Sequence, residues 1–280
     1  MPELWKRQHT HLGQENLPSM RLEDVADRRT RILDIDMHHM KKTHRLLDVQ
    51  FDPMGAAISD FWANGKASRL RVFSPMFDED EIPVETLFRS YDSMPPLEQH
   101  ALDLVKGRTL DVGAGAGCHS LVLQERGIDV DAIDISPLSV ETMRARGVRH
   151  VFHKDLFSVS DRYDTILMLM NGIGIVGTIA RLPQFFQLLD DILLPDGQLI
   201  CDSTDISYVF DDDEPIDEMI NYYGELVYKM QYKDILGKSF PWLYIDSRSL
   251  GDVAEACGYN LRVVENGKNH DYLALITKKQ

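Results

Sequence analysis

Between Thr109 and Ser120 the chain reads Thr-Leu-Asp-Val-Gly-Ala-Gly-Ala-Gly-Cys-His-Ser: an apolar run closing on an acid, three alternating glycines, then a helical pattern. A strand can reverse into a helix this tightly, with its backbone closer to a ligand than a Cβ permits, only where side chains are missing. The helix start that follows offers N–H groups with no partner inside the helix. The segment therefore predicts a nucleotide-cradling turn at the end of a β-strand. It departs from the dinucleotide fingerprint G-x-G-x-x-G, which needs a third glycine at position 118, where this chain has Cys118; its own third glycine is Gly117.

Further segments continue the alternation. Ile128-Asp-Val-Asp-Ala-Ile-Asp-Ile-Ser136 predicts a second strand ending near Asp134, with Ser136 as N-cap and Pro137 at the first helical position. Asp134 lies 21 positions beyond Gly113, close to the roughly 20 expected of an acid that accepts from ribose hydroxyls. Val148 to Lys154 predicts a third strand, running into Asp155-Leu156-Phe157, and Tyr163 to Met170 a fourth, running into Asn171-Gly-Ile-Gly174. A helix over Pro183 to Leu193, a turn at Leu194-Pro-Asp-Gly197 and a strand over Gln198 to Ser203 follow. Strand–helix alternation predicts an α/β fold with a doubly wound, mostly parallel sheet. In such sheets ligands sit at the carboxyl ends of the strands, where Asp111, Asp134, Asp155 and Asn171 all fall.

An acid two residues before G-x-G-x-G resembles the first motif of the class I S-adenosylmethionine (SAM) dependent methyltransferases, and the resemblance extends over roughly residues 97 to 204. It implies a seven-stranded sheet ending in a hairpin, with SAM as cofactor. It further implies that Gly113, Ala114, Gly115 and Gly117 meet the methionine end and that Asp111 anchors its ammonium, directly or through water. Asp134 and Ile135 would hold ribose, Asp155 and Leu156 adenine, and Asn171 would face the methyl donor. No catalytic residue is assigned; the candidates are His119, Asn171 and Tyr91. A histidine at the start of a helix is expected to be neutral and able to act as a base, because the helix dipole lowers its pKa. The segment after the fourth strand lacks an N-P-P-Y signature, which argues against adenine or glutamine nitrogen as acceptor. A nicotinamide oxidoreductase is disfavoured by Cys118 and by the absence of a Tyr-x-x-x-Lys pair.

Charge narrows the acceptor. The 280 residues carry a formal charge of −15, with acidic runs at Asp78–Glu81 and Asp211–Glu214, which would repel a phosphate backbone. Both runs read as solvated loop. The leading expectation is a methyltransferase for a small-molecule acceptor; an RNA or protein methyltransferase and a non-catalytic SAM-binding regulator are the alternatives. Three scattered cysteines, Cys118, Cys201 and Cys257, lack disulfide or metal-ligand spacing, so no metal is expected and the cytoplasm is the expected compartment. No apolar run reaches the roughly 18 residues of a membrane span.

The flanks are read more coarsely. Residues 1 to 50 form a weakly packed extension, with a helix predicted from Ser19 onward; Met40 is an alternative start, so residues 1 to 39 need not belong to the functional protein. His38, His39 and His44 share no face and read as solvated. Residues 51 to 96 read as short helices and turns forming a lid, with Arg89 and Tyr91 as cleft candidates. Residues 97 to 280 form the SAM-binding domain, with an inserted hairpin at about 205 to 246 rich in Tyr222, Tyr223, Trp242 and Tyr244.

Overall fold

The computed structural model describes residues 46–210 and 222–279. The Ser19 helix, the three histidines and the acidic run after Phe210 lie outside them. The strands are β1 (Leu70–Ser74), β2 (Phe77–Ile82), β3 (Thr109–Val112), β4 (Val130–Asp134), β5 (His150–His153), β6 (Tyr163–Met168), β7 (Leu193–Thr204), β8 (Glu225–Tyr232), β9 (Ile235–Leu236), β10 (Phe240–Leu243), β11 (Tyr259–Asn266) and β12 (Asp271–Lys278). Seven of them form one sheet in the order β11-β12-β7-β6-β3-β4-β5. Pairing is parallel from β5 to β7, and the closing β11–β12 hairpin is antiparallel. This is the doubly wound, mostly parallel sheet the alternation predicts.

Period-two alternation explains how the sheet is covered. Ile166, Leu199, Cys201 and Ala274 point into one core with the helices Leu182–Ile192 and Ser247–Ala256. Their neighbours Leu167, Ile200 and Leu273 point into another, with Pro96–Asp103 and Cys118–Glu125. Successive strand residues face opposite sides, so a sheet covered on both faces needs continuous apolar strands, which β6 and the middle of β7 supply. Phe185, Phe186 and Leu189 on the first of these helices are fully buried, each contributing about 1.5–3 kcal/mol by the area it removes from water.

The Leu194–Gly197 turn is absorbed into β7 as an irregularity. Tyr163 pairs with Leu193 and Thr165 with Gln198, so the extra residues bulge out of register.

The flanks differ more from expectation. After the helix Pro53–Asn64, the segment read as helices and turns contains β1 and β2, and these join the inserted hairpin in a second sheet of order β10-β8-β1-β2, with β9 on β8. Leu70, Val72 and Phe73 pair with Tyr232, Met230 and Lys229. The segment expected to form a lid and the insertion thus share one sheet. The acidic run Asp78–Glu81 is not loop but part of edge strand β2, where Arg71 bonds Glu79 and Arg69 bonds Glu81 across the strands. Charges on an edge strand also discourage pairing with other chains.

Candidate active site

The glycine turn leaves β3 with Gly113, Gly115 and Gly117 at φ of 67°, 57° and 80°. A Cβ on Gly117 would lie 2.9 Å from Val148 and 3.0 Å from Met143, so packing requires glycine there. Gly115 is different: a Cβ would find only the Gly113 carbonyl, at 4.0 Å. Its backbone is open to close approach, as a ligand cradle must be. Ala114 and Ala116, between the glycines, are buried, and Cys118 sits in the core beneath the helix.

Asp134 ties this turn to the next strand. Its Oδ2 accepts from the Gly115 N–H at 2.9 Å and its Oδ1 from the Ser136 N–H at 2.8 Å. Burial outweighs those two bonds and pushes its pKa up to about 6. The Ile135 carbonyl accepts from Leu47 N–H at 2.9 Å and from His153 Nε2 at 2.8 Å, which fixes the His153 proton on Nε2. Asp155 is buried and uses Oδ1 to cap the turn Leu156–Ser158 through Phe157 N–H at 2.8 Å. Its Oδ2 has no hydrogen-bond partner among the described residues. Asp111 lies on the opposite face of β3 from Leu110 and accepts from Ser120 Oγ at 2.6 Å; burial raises its pKa.

At the end of β6, Met170 and Asn171 both adopt positive φ, 64° and 57°. A left-handed asparagine is tolerated, but a methionine there is costly unless its surroundings impose it. Two residues of β7 hold the turn that follows: Asp202 Oδ1 accepts from Gly172 N–H at 3.2 Å, and Thr204 Oγ1 donates to Asn171 Oδ1 at 2.8 Å.

The two remaining catalytic candidates part company. His119 is buried and its Nε2 lies 2.9 Å from Glu98 Oε2, while Arg89 bonds the other oxygen of Glu98. Burial alone would lower the His119 pKa, but the Cys118 sulfur and Glu98 outweigh it and hold the imidazole well above its ordinary value. Burial likewise opposes Glu98, yet His119 and Arg89 hold its carboxylate down at about 2. The direction runs against the neutral, base-competent histidine expected at this helix start: the Cys118 sulfur and the Glu98 carboxylate favour the imidazolium. Tyr91 joins a different group: its hydroxyl donates to Asp103 at 3.0 Å and Arg126 stacks on its ring.

Sequence reasoning missed Asp202, Thr204 and Glu98. Asp202 and Thr204 carried a usable signal, since both end an apolar parallel strand at its carboxyl side. Glu98 did not, because nothing local marks an acid 21 positions before its histidine.

The sheet order, the glycine turn and the acids at three strand ends call for comparison with known proteins. A family model described as a methyltransferase domain matches residues 110–201. The crystal structure of a SAM-dependent methyltransferase from Bacteroides fragilis, in complex with S-adenosyl-L-homocysteine, is 50% identical, with a TM-score of 0.81 over 86% of this chain and 100% of that one. This chain belongs to the SAM-dependent methyltransferases. The CcbJ methyltransferase from Streptomyces caelestis, 12% identical with a TM-score of 0.55 over 81% of this chain and 98% of that one, shares the fold. So does DhpI in its SAM–HEP complex, 16% identical with a TM-score of 0.55 over 84% and 99%. No curated protein matches the chain. As a SAM-dependent methyltransferase the chain uses SAM as its cofactor, and the open cradle at Gly115 fits that group. Among the described residues no helix is long and apolar enough to cross a membrane.

Proposed function

We propose that this methyltransferase acts on a small-molecule acceptor enclosed between the strand ends and the second sheet. The observation that carries this reading is how that sheet is fastened over the carboxyl ends of β6 and β7. The Trp242 ring of β10 packs against Gly174, so closely that a Cβ there would lie 2.2 Å from Nε1. Ile245 N–H donates to Ser203 Oγ at 3.0 Å, and Ile179 N–H to Glu225 Oε1 at 2.9 Å. Tyr228 and Tyr244 are buried in the cluster beneath the sheet, and Tyr223 is packed against it. A covered, aromatic surface suits a compact acceptor, and the charge of −15 disfavours a nucleic acid.

The residues then take these roles. Gly113, Ala114, Gly115 and Gly117 admit the methionine end, with Asp111 on its ammonium side. Asp134 and Ile135 hold ribose, the carboxylate keeping lone pairs beyond the two N–H groups it accepts. Asp155, with Leu156 beside it, reads adenine through the oxygen not used by Phe157. Asn171 faces the transfer path. When bound, SAM supplies a methyl group already activated on a sulfonium, so the chain's work is to orient, to exclude water and to hold charge. His119, as an imidazolium paired with Glu98, has no lone pair with which to take a proton.

The test is incubation of the protein with methyl-labelled SAM and a size-fractionated cell extract. Label in the low-mass fraction supports the reading; label confined to RNA or protein overturns it.

A further inference from the structure

We propose that Asp202 is a positioning residue for methyl transfer, clamping the Met170–Asn171 turn in its left-handed form from behind while Asn171 faces the donor. The proposal rests on the reading of the β6 end as the face toward the methyl group. Two consecutive non-glycine residues stand at positive φ; a hydroxyl donates to the side chain of the second and a carboxylate accepts the N–H of the residue directly after it, both from the last three residues of β7. Asp202 is 8% exposed and accepts the backbone N–H of Gly172, so it orders the peptide from inside the fold.

The clamp depends on ionisation. A carboxylate oxygen accepts the Gly172 N–H more strongly than the carbonyl oxygen of a protonated acid does, so protonation loosens the clamp. Burial pushes the Asp202 pKa up to about 7, against the pull of the Asn171 and Gly172 amides. Two charged groups face it from the covering helices: Glu98, which raises the value further, and His119, which lowers it. Glu98 is itself held by Arg89. The ionised form is the clamped form, and it is also the form burial penalises.

That opposition separates a positioning role from a merely structural one. In the native state Asp202 holds its proton to a higher pH than it does unfolded, so its ionisation lowers stability as pH rises from about 4 to about 7. Asp202→Asn keeps an acceptor oxygen and removes the charge. It should melt higher than the natural protein at pH 8, yet lose the pH response of the turn.

The experiment is amide NMR of the full chain, natural and Asp202→Asn, titrated from pH 6 to pH 8 with and without SAM, alongside calorimetric SAM binding. The expected result is movement of the Asn171 and Gly172 amide signals with a midpoint near 7 in the natural protein only. SAM should shift the Asn171 signal, and its affinity should fall several-fold from pH 8 to pH 6 in the natural protein but only about twofold in the variant, where Asp134, with a pKa of about 6, still titrates. Amide signals that stay still overturn the clamp. Titrating amides beside a SAM-insensitive Asn171 overturn the positioning role and leave only a structural bond. SAM that binds at no pH while the amides titrate sinks the reading of the β6 end, and the positioning role with it.

Discussion

Ser136 Oγ donates a 2.5 Å hydrogen bond to Asp52 Oδ2, joining the starts of two helices that lie 84 positions apart in the chain. Asp52 also accepts from Gly55 N–H at 2.8 Å, and Ser136 Oγ from Ser139 N–H at 2.9 Å, so each side chain caps its own helix while holding the other. Asp52 is wholly buried. Removing either cap should destabilise the fold by about 1–2 kcal/mol. Because Asp52→Ala and Ser136→Ala delete one shared bond, the double variant should cost less than the sum of the singles. Urea denaturation of the four proteins measures this, and additive losses would show that the bridge contributes nothing.

Gly115→Ala separates folding from binding. The new methyl would find open space, and its only cost in the fold is the left-handed backbone, about 1–2 kcal/mol. SAM affinity should nevertheless collapse in calorimetry, since the donor must approach that backbone. Normal affinity in a folded variant would remove the glycine turn from the donor site.

Asp134→Ala should weaken SAM binding by about 1–3 kcal/mol, the scale of losing a charged hydrogen-bonding partner. The pKa of Asp134 is raised by burial to about 6, so the native state binds the extra proton and the ionised group lowers stability as pH rises from about 4 to about 6. Asp134→Asn should therefore melt higher than the natural protein at neutral pH while binding SAM less tightly. A variant that binds as well as the natural chain would deny Asp134 the ribose role.

Glu98→Ala would strand the His119 imidazolium and the Arg89 guanidinium in the interior, a loss of about 3–5 kcal/mol. The signs of the two shifts set its pH window. The Glu98 pKa is depressed to about 2, so its contribution is complete above the ordinary value near 4.5 and disappears as pH falls through about 2. The His119 pKa is raised, so its contribution is complete below its ordinary 6.5 and is lost only well above it. Thermal melts across pH should show the variant's deficit widest between those limits. A deficit independent of pH would mean that packing rather than charge holds the three residues together.

What the sequence made legible were the features with local causes. Ser136 and Pro137 marked a helix start, and the glycine turn and the apolar strands before Asp134 and Asn171 marked a doubly wound, mostly parallel sheet. The second sheet was not legible, because β1 is short, β2 is acidic enough to read as solvent-facing loop, and the strand that ties β1 to the insertion, β8, lies far along the chain. The inserted hairpin was visible in outline, although its tight turn falls at Lys233, at positive φ, two residues before the Ile235–Lys238 turn that was expected. The protonation of His119 was out of reach for the same reason as β1. Its direction is set by Cys118 together with Glu98, and only the packing of two helices brings that acid near.

The pairing of Leu70 with Tyr232 places 162 positions of chain between two neighbouring residues of the second sheet. Contacts so distant along the chain form slowly, since the intervening loop must close before they give any return. During vectorial synthesis β1 and β2 emerge first and can pair only with each other until β8 has left the ribosome. The part of the molecule proposed to choose the acceptor therefore assembles after the glycine turn and the β3–β4 ladder that cradle the donor. A ribosome halted before β8 would leave a chain carrying the donor turn with nothing over it.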